Sequence, residues 1–418
     1  MADARDVDVL ILGGGVIGLA CAYYLLEAGR AVTVLEQGTA GCGSSHGNCG
    51  TLTPSHAPPL AMPGVIGPAL KALFRPDAPL RIAPRFDPAL WRWLLGFARH
   101  CNWRDFRAAT RAKAPLLLES RRLIESLIRK ESIDCEFESR GTLYVFRDEA
   151  AFERSQWLPR ALSEVGISIE MLDGNRVETM EPALKHGAVG GYFNPDDAHL
   201  RPDRYVDALA KLVRARGGAI VEGARAETIV RAGPRIERVR TSRGDFSGRE
   251  IVLALGAWSP SLTRNLDFRV PIQPGKGYSI TFDRPALAPQ IPLVLKERSV
   301  CVTAWSSGYR LGSTMEFSGY DASLNRARLD ALRRAAAEYL REPEGPSVVE
   351  EWFGWRPMTP DDLPLIGRAP GLENLVLATG HGMLGVSLSA ITGVAVRDIV
   401  TGAPSSIDPA PCDPARFG

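Results

Sequence analysis

The stretch Val7-Asp8-Val9-Leu10-Ile11-Leu12-Gly13-Gly14-Gly15-Val16-Ile17-Gly18, carried on to Glu36, decides the fold. Val7 to Leu12 is a short run of β-branched residues and leucine, the composition of a strand buried on both faces. After the glycines come Leu19-Ala20-Cys21-Ala22-Tyr23-Tyr24-Leu25-Leu26-Glu27-Ala28, helical in composition and closed by Gly29. A second strand, Ala31-Val32-Thr33-Val34-Leu35, ends at Glu36. The unit is strand, helix, strand with G-x-G-x-x-G in its first turn. Gly13 allows the tight turn, Gly15 lets the backbone approach a pyrophosphate without a Cβ in the way, and Gly18 lets the helix pack closely on the strand. Val16 and Ile17 begin the helix whose N-terminus holds the phosphates. Glu36 can accept hydrogen bonds from the hydroxyls of an adenosine ribose and would repel a 2′-phosphate, which favours FAD or NAD over NADP.

Working outward, two later segments end as the first strand does. Ile251-Val252-Leu253-Ala254-Leu255-Gly256 and Leu375-Val376-Leu377-Ala378-Thr379-Gly380 each run apolar into small residues. Parallel strands that deliver small residues to one edge suit an open sheet whose ligand lies beyond the strand ends. A helix over 203–216 and a strand over 219–221 add to the same layer. Between these pieces the pattern changes. Leu116, Leu123, Ile124, Leu127 and Ile128 recur at helical spacing within 116–130, and residues 141–146 alternate as a strand. Residues 278–282, 300–303 and 309–311 read as strands before a helix over 323–340. The expected fold class is α/β. A discontinuous Rossmann-like nucleotide-binding domain (1–85, 196–265 and 346–418) is interleaved with an α+β substrate domain on an antiparallel sheet (86–195 and 266–345). The Pro-rich tail over 407–414 reads as loose.

Composition excludes several classes. Lys plus Arg number 50 against 48 Asp plus Glu, with no basic block, so no nucleic-acid partner is expected. The cysteines are odd in number at 7 and contain no C-x-x-C pair, and the 6 histidines are scattered. Neither a disulfide framework nor a metal site is expected. The acidic start and the lack of an apolar run near 18 residues predict a cytoplasmic protein that spans no membrane. Peripheral attachment on the inner face of the cell membrane stays open, because a patch assembled in three dimensions leaves no linear trace.

Immediately after Glu36 and Gln37, the segment Gly43-Ser44-Ser45-His46-Gly47-Asn48-Cys49-Gly50-Thr51-Leu52 is a run of small residues suited to lying along a long, extended cofactor. At the other end, Thr379-Gly380-His381-Gly382-Met383-Leu384-Gly385 opens a helix expected from Val386, whose positive end suits an anion. A grip at both ends implies FAD, with adenosine at the N-terminal motif and isoalloxazine near the C-terminal one. Three further motifs appear: Asn48-Cys49-Gly50-Thr51-Leu52-Thr53-Pro54 followed by Ala61-Met62-Pro63-Gly64, Lys276-Gly277-Tyr278-Ser279-Ile280-Thr281, and Gly354-Trp355-Arg356-Pro357-Met358-Thr359-Pro360-Asp361. On these motifs, over nearly its whole length, the chain resembles the D-amino-acid dehydrogenase branch of the FAD-dependent amino-acid and amine oxidoreductases. That family also holds D-amino-acid oxidase, glycine oxidase and sarcosine oxidase.

The resemblance implies a two-domain enzyme with flavin at the domain junction. Arg356 matches the arginine that pairs with the substrate carboxylate, and Tyr278 falls in a segment that supplies an active-site wall and a hydrogen-bond donor. Ser44, Ser45, Asn48, Cys49, Gly50 and Leu52 are expected along the flavin, Ala226 at the adenine, and Gly256, Gly382, Met383, Leu384 and Gly385 toward the isoalloxazine. Sarcosine oxidases attach FAD through a cysteine where this chain has Gly354, so the FAD is expected to be non-covalent. The implied reaction is oxidation of a small zwitterionic D-amino acid by hydride transfer from Cα to flavin N5. Two substrate ranges stand: a broad set of D-amino acids, or cyclic imino acids alone such as D-proline or a hydroxy-D-proline, for which the stretch 54–63 and Trp258, Trp305 and Trp355 would shape a compact aromatic pocket. No second G-x-G-x-x-G marks a nicotinamide, so electrons pass to a quinone or another acceptor. Two other readings stand beside this one: an oxygen-using oxidase of glycine, sarcosine or another amine, and a flavin-bound sensor or subunit without turnover. His46, His56 and His381 receive no catalytic role.

Overall fold

The structure is a computed structural model and describes residues 5–67 and 80–418. Residues 1–4 and 68–79, which the sequence reading places in the segment 1–85, lie outside the described residues. The opening unit folds as read: strand Arg5–Leu12, helix Val16–Glu27 and strand Val32–Leu35. The two strands pair in parallel, with Leu10 opposite Thr33 and Leu12 opposite Leu35. Ala219–Val221 extends the sheet on one side and Gly244–Leu253 on the other, both parallel. Leu375–Thr379 adds a further parallel strand, and Leu365–Arg368 joins it antiparallel. The hairpin of Ala226–Ala232 and Arg235–Thr241 completes eight strands. Val9, Leu10, Ile11 and Leu12 are fully buried, as a central parallel strand covered on both faces requires.

Among the described residues the second sheet has nine strands. Its path runs Val348–Met358, Gln273–Phe282, Gly308–Phe317, Val300–Trp305, Leu293–Leu295, Thr142–Phe146, Gly190–Asn194 and Glu170–Asp173, with Leu80–Ile82 beside Gly308–Phe317. Its pairs are antiparallel except where Leu293–Leu295 meets Thr142–Phe146 and where Leu80–Ile82 joins. On one face, Leu329, Leu332, Ala336 and Tyr339 of helix Arg326–Tyr339 pack against Ile280, Phe282 and Leu311. The other face looks toward the first sheet across a cavity. The α/β class and the interleaving of two sheets are as the sequence predicts.

Leu80–Ile82, placed by the sequence reading in the nucleotide-binding segment 1–85, belongs to the second sheet, and three further elements differ. Val348–Met358, placed there in the nucleotide-binding segment from 346 onward, is instead an edge strand of the second sheet, paired along its length with Gln273–Phe282. The chain rejoins the first sheet only at Leu365. The helix expected over 116–130 runs from Trp103 to Glu131, through Pro115. Its first half is arginine-rich, so the apolar stripe shows in sequence only from Leu116, although Phe106, Ala109 and Thr110 are also buried. The tail is packed rather than loose. Cys412 is fully buried, and Arg416 Nε donates to Asp361 Oδ2 at 2.7 Å. Among the described residues no helix is long and apolar enough to cross a membrane.

Candidate active site

A cavity of about 290 Å³ lies between the sheets, lined at one end by Glu36 and Ala226 and at the other by Trp355, Arg356 and Gly382. Its floor is the glycine turn. Gly13 has φ +109°, and a β-carbon there would overlap the carbonyl of Ala254 on the neighbouring strand. A β-carbon at Gly18 would overlap the carbonyl oxygen of Gly13, so the helix reaches the strand only because this position is glycine. At Gly15 the nearest atom to such a carbon is Ser45 Oγ at 3.6 Å, so the backbone of Gly15, Val16 and Ile17 borders open space at a helix start. Val16 N–H donates to Ser45 Oγ at 3.1 Å. The Glu36 carboxylate accepts from the backbone N–H of Gly14 at 2.8 Å and of Gly38 at 2.9 Å. Glu36, Gln37 and Ala226 all line the cavity.

The loop over 43–52 is held from three sides. Ser44 Oγ donates to the Trp355 carbonyl at 2.5 Å, and Asn48 Oδ1 accepts from Gly50 N–H at 2.7 Å. Arg310 Nη1 donates to the carbonyls of His46 at 3.1 Å and Asn48 at 2.7 Å, while its Nε donates to Thr281 Oγ1 at 2.9 Å. Arg310 is only 1% exposed, a cation buried to satisfy a loop's carbonyls. The sequence reading missed it because nothing in Tyr309-Arg310-Leu311 separates such an arginine from an ordinary strand residue.

Across the cavity, register fixes what the second sheet offers. Directly opposed residues share a face. Trp352, Ser279, Gly312, Cys301, Val294 and Tyr144 therefore form one row across six strands. The neighbouring pair Gly354 and Gly277 lies on that face too. Arg356 spreads over Gly277, where a β-carbon would overlap the guanidinium. A bulge between Lys276 and Tyr278 places Ser313 at φ 129° and Thr314 at φ 56°, and Arg356 Nη1 donates to the Thr314 carbonyl at 2.8 Å. Among the described residues no carboxylate pairs with Arg356. Burial pushes its pKa down, opposed only by the thiols of Cys49 and Cys301. A guanidinium keeps its charge even so, and this one faces the cavity unneutralised.

Tyr278 lines the cavity beside Gly277, but its hydroxyl is turned elsewhere. Strand alternation sends Gly277 toward the cavity and the Tyr278 side chain to the opposite face, where its hydroxyl donates to Glu316 Oε2 at 2.9 Å and Lys276 Nζ lies 5.3 Å from the ring centre. Burial and the Glu316 carboxylate raise its pKa, so the phenol keeps its proton and shares it with Glu316. Four expected contacts stand away from the cavity, for packing reasons. Gly18 meets Gly13, Gly50 meets the Leu200 carbonyl, and Leu52 and Leu384 belong to the core. Gly13, Gly15, Val16, Ile17, Ser44, Ser45, Asn48, Cys49, Gly256, Met383 and Gly385 line it, with Glu36, Gln37, Ala226, Gly382 and Arg356.

An aromatic wall closes one side. Trp258 and Trp355 meet edge to face at 5.4 Å, and Tyr320 lies 6.3 Å from Trp258 and 6.0 Å from Trp355. The Tyr320 hydroxyl donates to the Ala257 carbonyl at 2.6 Å. Trp352 lines the cavity as well, a residue the motif reading passed over. Its position two and four residues before Gly354 and Arg356 puts all three on one strand face, a signal available only once the segment is known to be a strand. Trp305, expected in this wall, is buried beside Arg310, whose guanidinium carbon lies 5.3 Å from the ring centre.

The C-terminal helix starts at Ser389 rather than Val386, because the chain first turns through Gly382, with φ +54°. It is this turn, not the helix end, that meets the cavity at Gly382, Met383 and Gly385. His381 and His56 also line the cavity. His381 Nε2 shares a hydrogen bond with Thr392 Oγ1 at 2.9 Å, and His56 Nδ1 with Thr53 Oγ1 at 2.9 Å. Burial pushes both pKa values down to about 3, with Lys296 and Lys113 adding to the effect at His56, so both rings are neutral at neutral pH. Among the described residues no three His, Cys, Asp or Glu side chains group to hold a metal ion.

These parts fit an extended dinucleotide: a carboxylate acceptor at one end, open glycine backbone at a helix start, a loop of small residues, and the glycine turn beyond. Among the described residues the buried indole N–H of Trp355, a residue of the cavity wall, has no hydrogen-bond partner. Comparison with known proteins agrees. The sequence model of the FAD dependent oxidoreductase (DAO) family matches residues 8–399. The chain is 37% identical over 408 residues to a D-amino acid dehydrogenase of Rhizorhabdus wittichii, covering 96% of this chain and 98% of that one. It is 35% identical to a D-amino acid dehydrogenase of Chromohalobacter salexigens, covering 98% and 100%. Among solved structures, glycine oxidase from Geobacillus kaustophilus shares the fold at a TM-score of 0.80 and 23% identity, covering 98% of each chain. L-proline dehydrogenase from P. horikoshii shares it at 0.74 and 18%, covering 99% and 98%. With a glycine cradle, a ribose-side carboxylate and a family match over nearly the whole length, the chain belongs to the FAD-dependent oxidoreductases.

Proposed function

We propose that this enzyme dehydrogenates a D-amino acid, using non-covalently bound FAD, and passes the electrons to a quinone or another acceptor besides oxygen. The observation that carries the reading is Arg356: a guanidinium without a carboxylate partner among the described residues, facing the cavity beside the glycine turn at Gly382. Relatives that share over a third of its sequence are named D-amino acid dehydrogenases, which supports the substrate class. FAD, when bound, supplies the two-electron acceptor for the Cα hydrogen.

The remaining steps belong to the chain's own residues. Arg356, steadied by the Thr314 carbonyl, pairs with the substrate carboxylate through two parallel N–H donors and so fixes which face of Cα is presented. Trp258 and Trp355, with Tyr320 packed behind them, exclude water and take a compact apolar side chain, the ring of D-proline or a hydroxy-D-proline included. Neutral His56 and His381 add no positive charge to repel the amine, which binds with its lone pair free. The chain carries one dinucleotide motif, so its electron acceptor is a separate molecule. Exposed Phe86, Trp91, Leu95 and Trp103 stand among the exposed Arg92, Arg99 and Arg104, which supports a peripheral contact with an anionic membrane surface where a quinone is reached.

Anaerobic mixing with a panel of D-amino acids, each beside the amine that lacks its carboxylate, tests the reading. The amino acids bleach the flavin absorbance and the amines do not. Bleaching by the amines at equal rates removes Arg356 from the account. Peroxide release with steady oxygen uptake replaces the dehydrogenase by an oxidase.

A further inference from the structure

Cys49 and Cys301 come from distant parts of the chain and meet on the cavity wall. Cys301 stands opposite Gly312 on the paired strands Val300–Trp305 and Gly308–Phe317. Directly opposed residues share a face, with β-carbons about 4.5–5.5 Å apart. Position 312 has no side chain, and the sulphur of Cys49 fills that room, 2.5 Å from where its β-carbon would stand. Cys49 thus takes the place of Cys301's cross-strand neighbour, thiol beside thiol. Both residues are half-buried free thiols, whereas Cys21, Cys135 and Cys412 are sealed in the core.

The charges around the pair are unequal. The neighbouring Cys301 thiol and the guanidinium groups of Arg310 and Arg356 hold the Cys49 thiol below its ordinary range. Cys301 is pushed up by its neighbour and by burial. One sulphur is therefore suited to attack and the other to resolve.

We propose that Cys49 and Cys301 are an oxidisable dithiol which a hydroperoxide converts into a disulfide across the cavity wall. The Cys49 thiolate attacks the O–O bond. A sulphur–oxygen bond forms, the distal oxygen leaves as hydroxide or alkoxide, and the sulphur, oxidised by two electrons, becomes a sulfenic acid once protonated. The Cys301 sulphur then attacks that sulphur. The S–S bond forms, and the sulfenic oxygen leaves as water, carrying the sulfenic proton and the Cys301 proton. An external dithiol reverses the change. The bond joins the loop over 43–52 to strand Val300–Trp305 and draws the Cys49 sulphur off Gly312, reshaping the wall next to Arg356, so turnover falls while it is closed.

The dithiol does not depend on which substrate the cavity takes, and peptide chemistry reads it apart from turnover. Flavin-loaded protein is treated with equimolar hydrogen peroxide, free thiols are alkylated, and the digest is weighed. The result expected is a Cys49–Cys301 linked peptide, lighter by two hydrogens than its parts and lost on treatment with dithiothreitol. In a Cys301→Ser variant, Cys49 halts at the sulfenic acid and is labelled by dimedone. Should that variant not fold, a thiol count on the denatured wild type serves instead, falling by two of the 7 cysteines. Absence of the linked peptide with the thiol count unchanged overturns the proposal. So does equal linkage among other cysteines, and unchanged turnover at full linkage overturns the control of activity.

Discussion

Arg356 lies across Gly277, close enough that a β-carbon at 277 would overlap its guanidinium. The two residues sit on paired strands, and the missing side chain of one makes the room the other needs to face the cavity. Substitution Gly277→Val therefore acts through Arg356. It raises KM for the amino acid while FAD stays bound, because Gly15 and Glu36 are untouched. A hydrogen-bonded ion pair to a charged group is worth about 1.5–3 kcal/mol, so kcat/KM falls roughly ten- to a hundredfold. Steady-state kinetics beside the flavin-to-protein absorbance ratio separates this from loss of cofactor.

Arg356→Lys keeps the charge and loses the planar fork. The account predicts a loss in kcat/KM of about 2 kcal/mol, and weaker competition by simple carboxylates such as benzoate. Unchanged inhibition constants would show that the carboxylate binds elsewhere.

Tyr278→Phe distinguishes a substrate donor from a packed one. Removing the hydroxyl leaves buried Glu316 short of a partner, which costs about 1–3 kcal/mol of stability. Turnover stays near the wild-type level. Urea unfolding together with kcat/KM reads both effects, and a large kinetic loss with stability unchanged would restore the tyrosine to the site.

Glu36→Gln weakens FAD retention, since the amide offers one acceptor oxygen where the carboxylate offers two to the ribose hydroxyls and the amides of Gly14 and Gly38. Equilibrium dialysis is expected to show FAD binding weaker by roughly tenfold.

Stability should depend on pH with a definite sign. His56 and His381 are pushed down to about 3 and His199 to about 4, all by burial. The folded protein then binds fewer protons than the unfolded chain, so each histidine adds stability as pH rises toward the ordinary histidine value near 6.5. Asp197, buried and accepting from Ser55, is pushed up to about 7 and works the other way above the ordinary value near 3.9. Three groups outweigh one, so the unfolding temperature climbs from pH 4 to about 6.5. Asp197→Asn removes the opposing group and steepens that climb.

The opening unit was legible because each of its glycines answers a separate steric demand, and the demands come in a fixed order along 36 residues. The place of Arg356 on the cavity wall was legible through its motif. The direction of the Tyr278 hydroxyl was not legible, because it depends on strand parity, set by Gly275 pairing with Arg356 and Tyr278 with Phe353, which no local pattern displays. The strand Val348–Met358 was hidden for a related reason: an edge strand that lines a cavity is half-buried along most of its length, so it lacks clean alternation. Arg310 and Cys301 were invisible, because their roles depend on contacts with the loop over 43–52, far away in sequence.

The central claim is that the cavity presents one face of a D-configured Cα, held by its carboxylate on Arg356. Stopped-flow mixing of the oxidised enzyme with matched D- and L-enantiomers under argon tests it most directly. The account predicts rapid bleaching of the flavin band by D-enantiomers and none by their mirror images on the same timescale. Bleaching by L-enantiomers alone, or by both at equal rates, would contradict it.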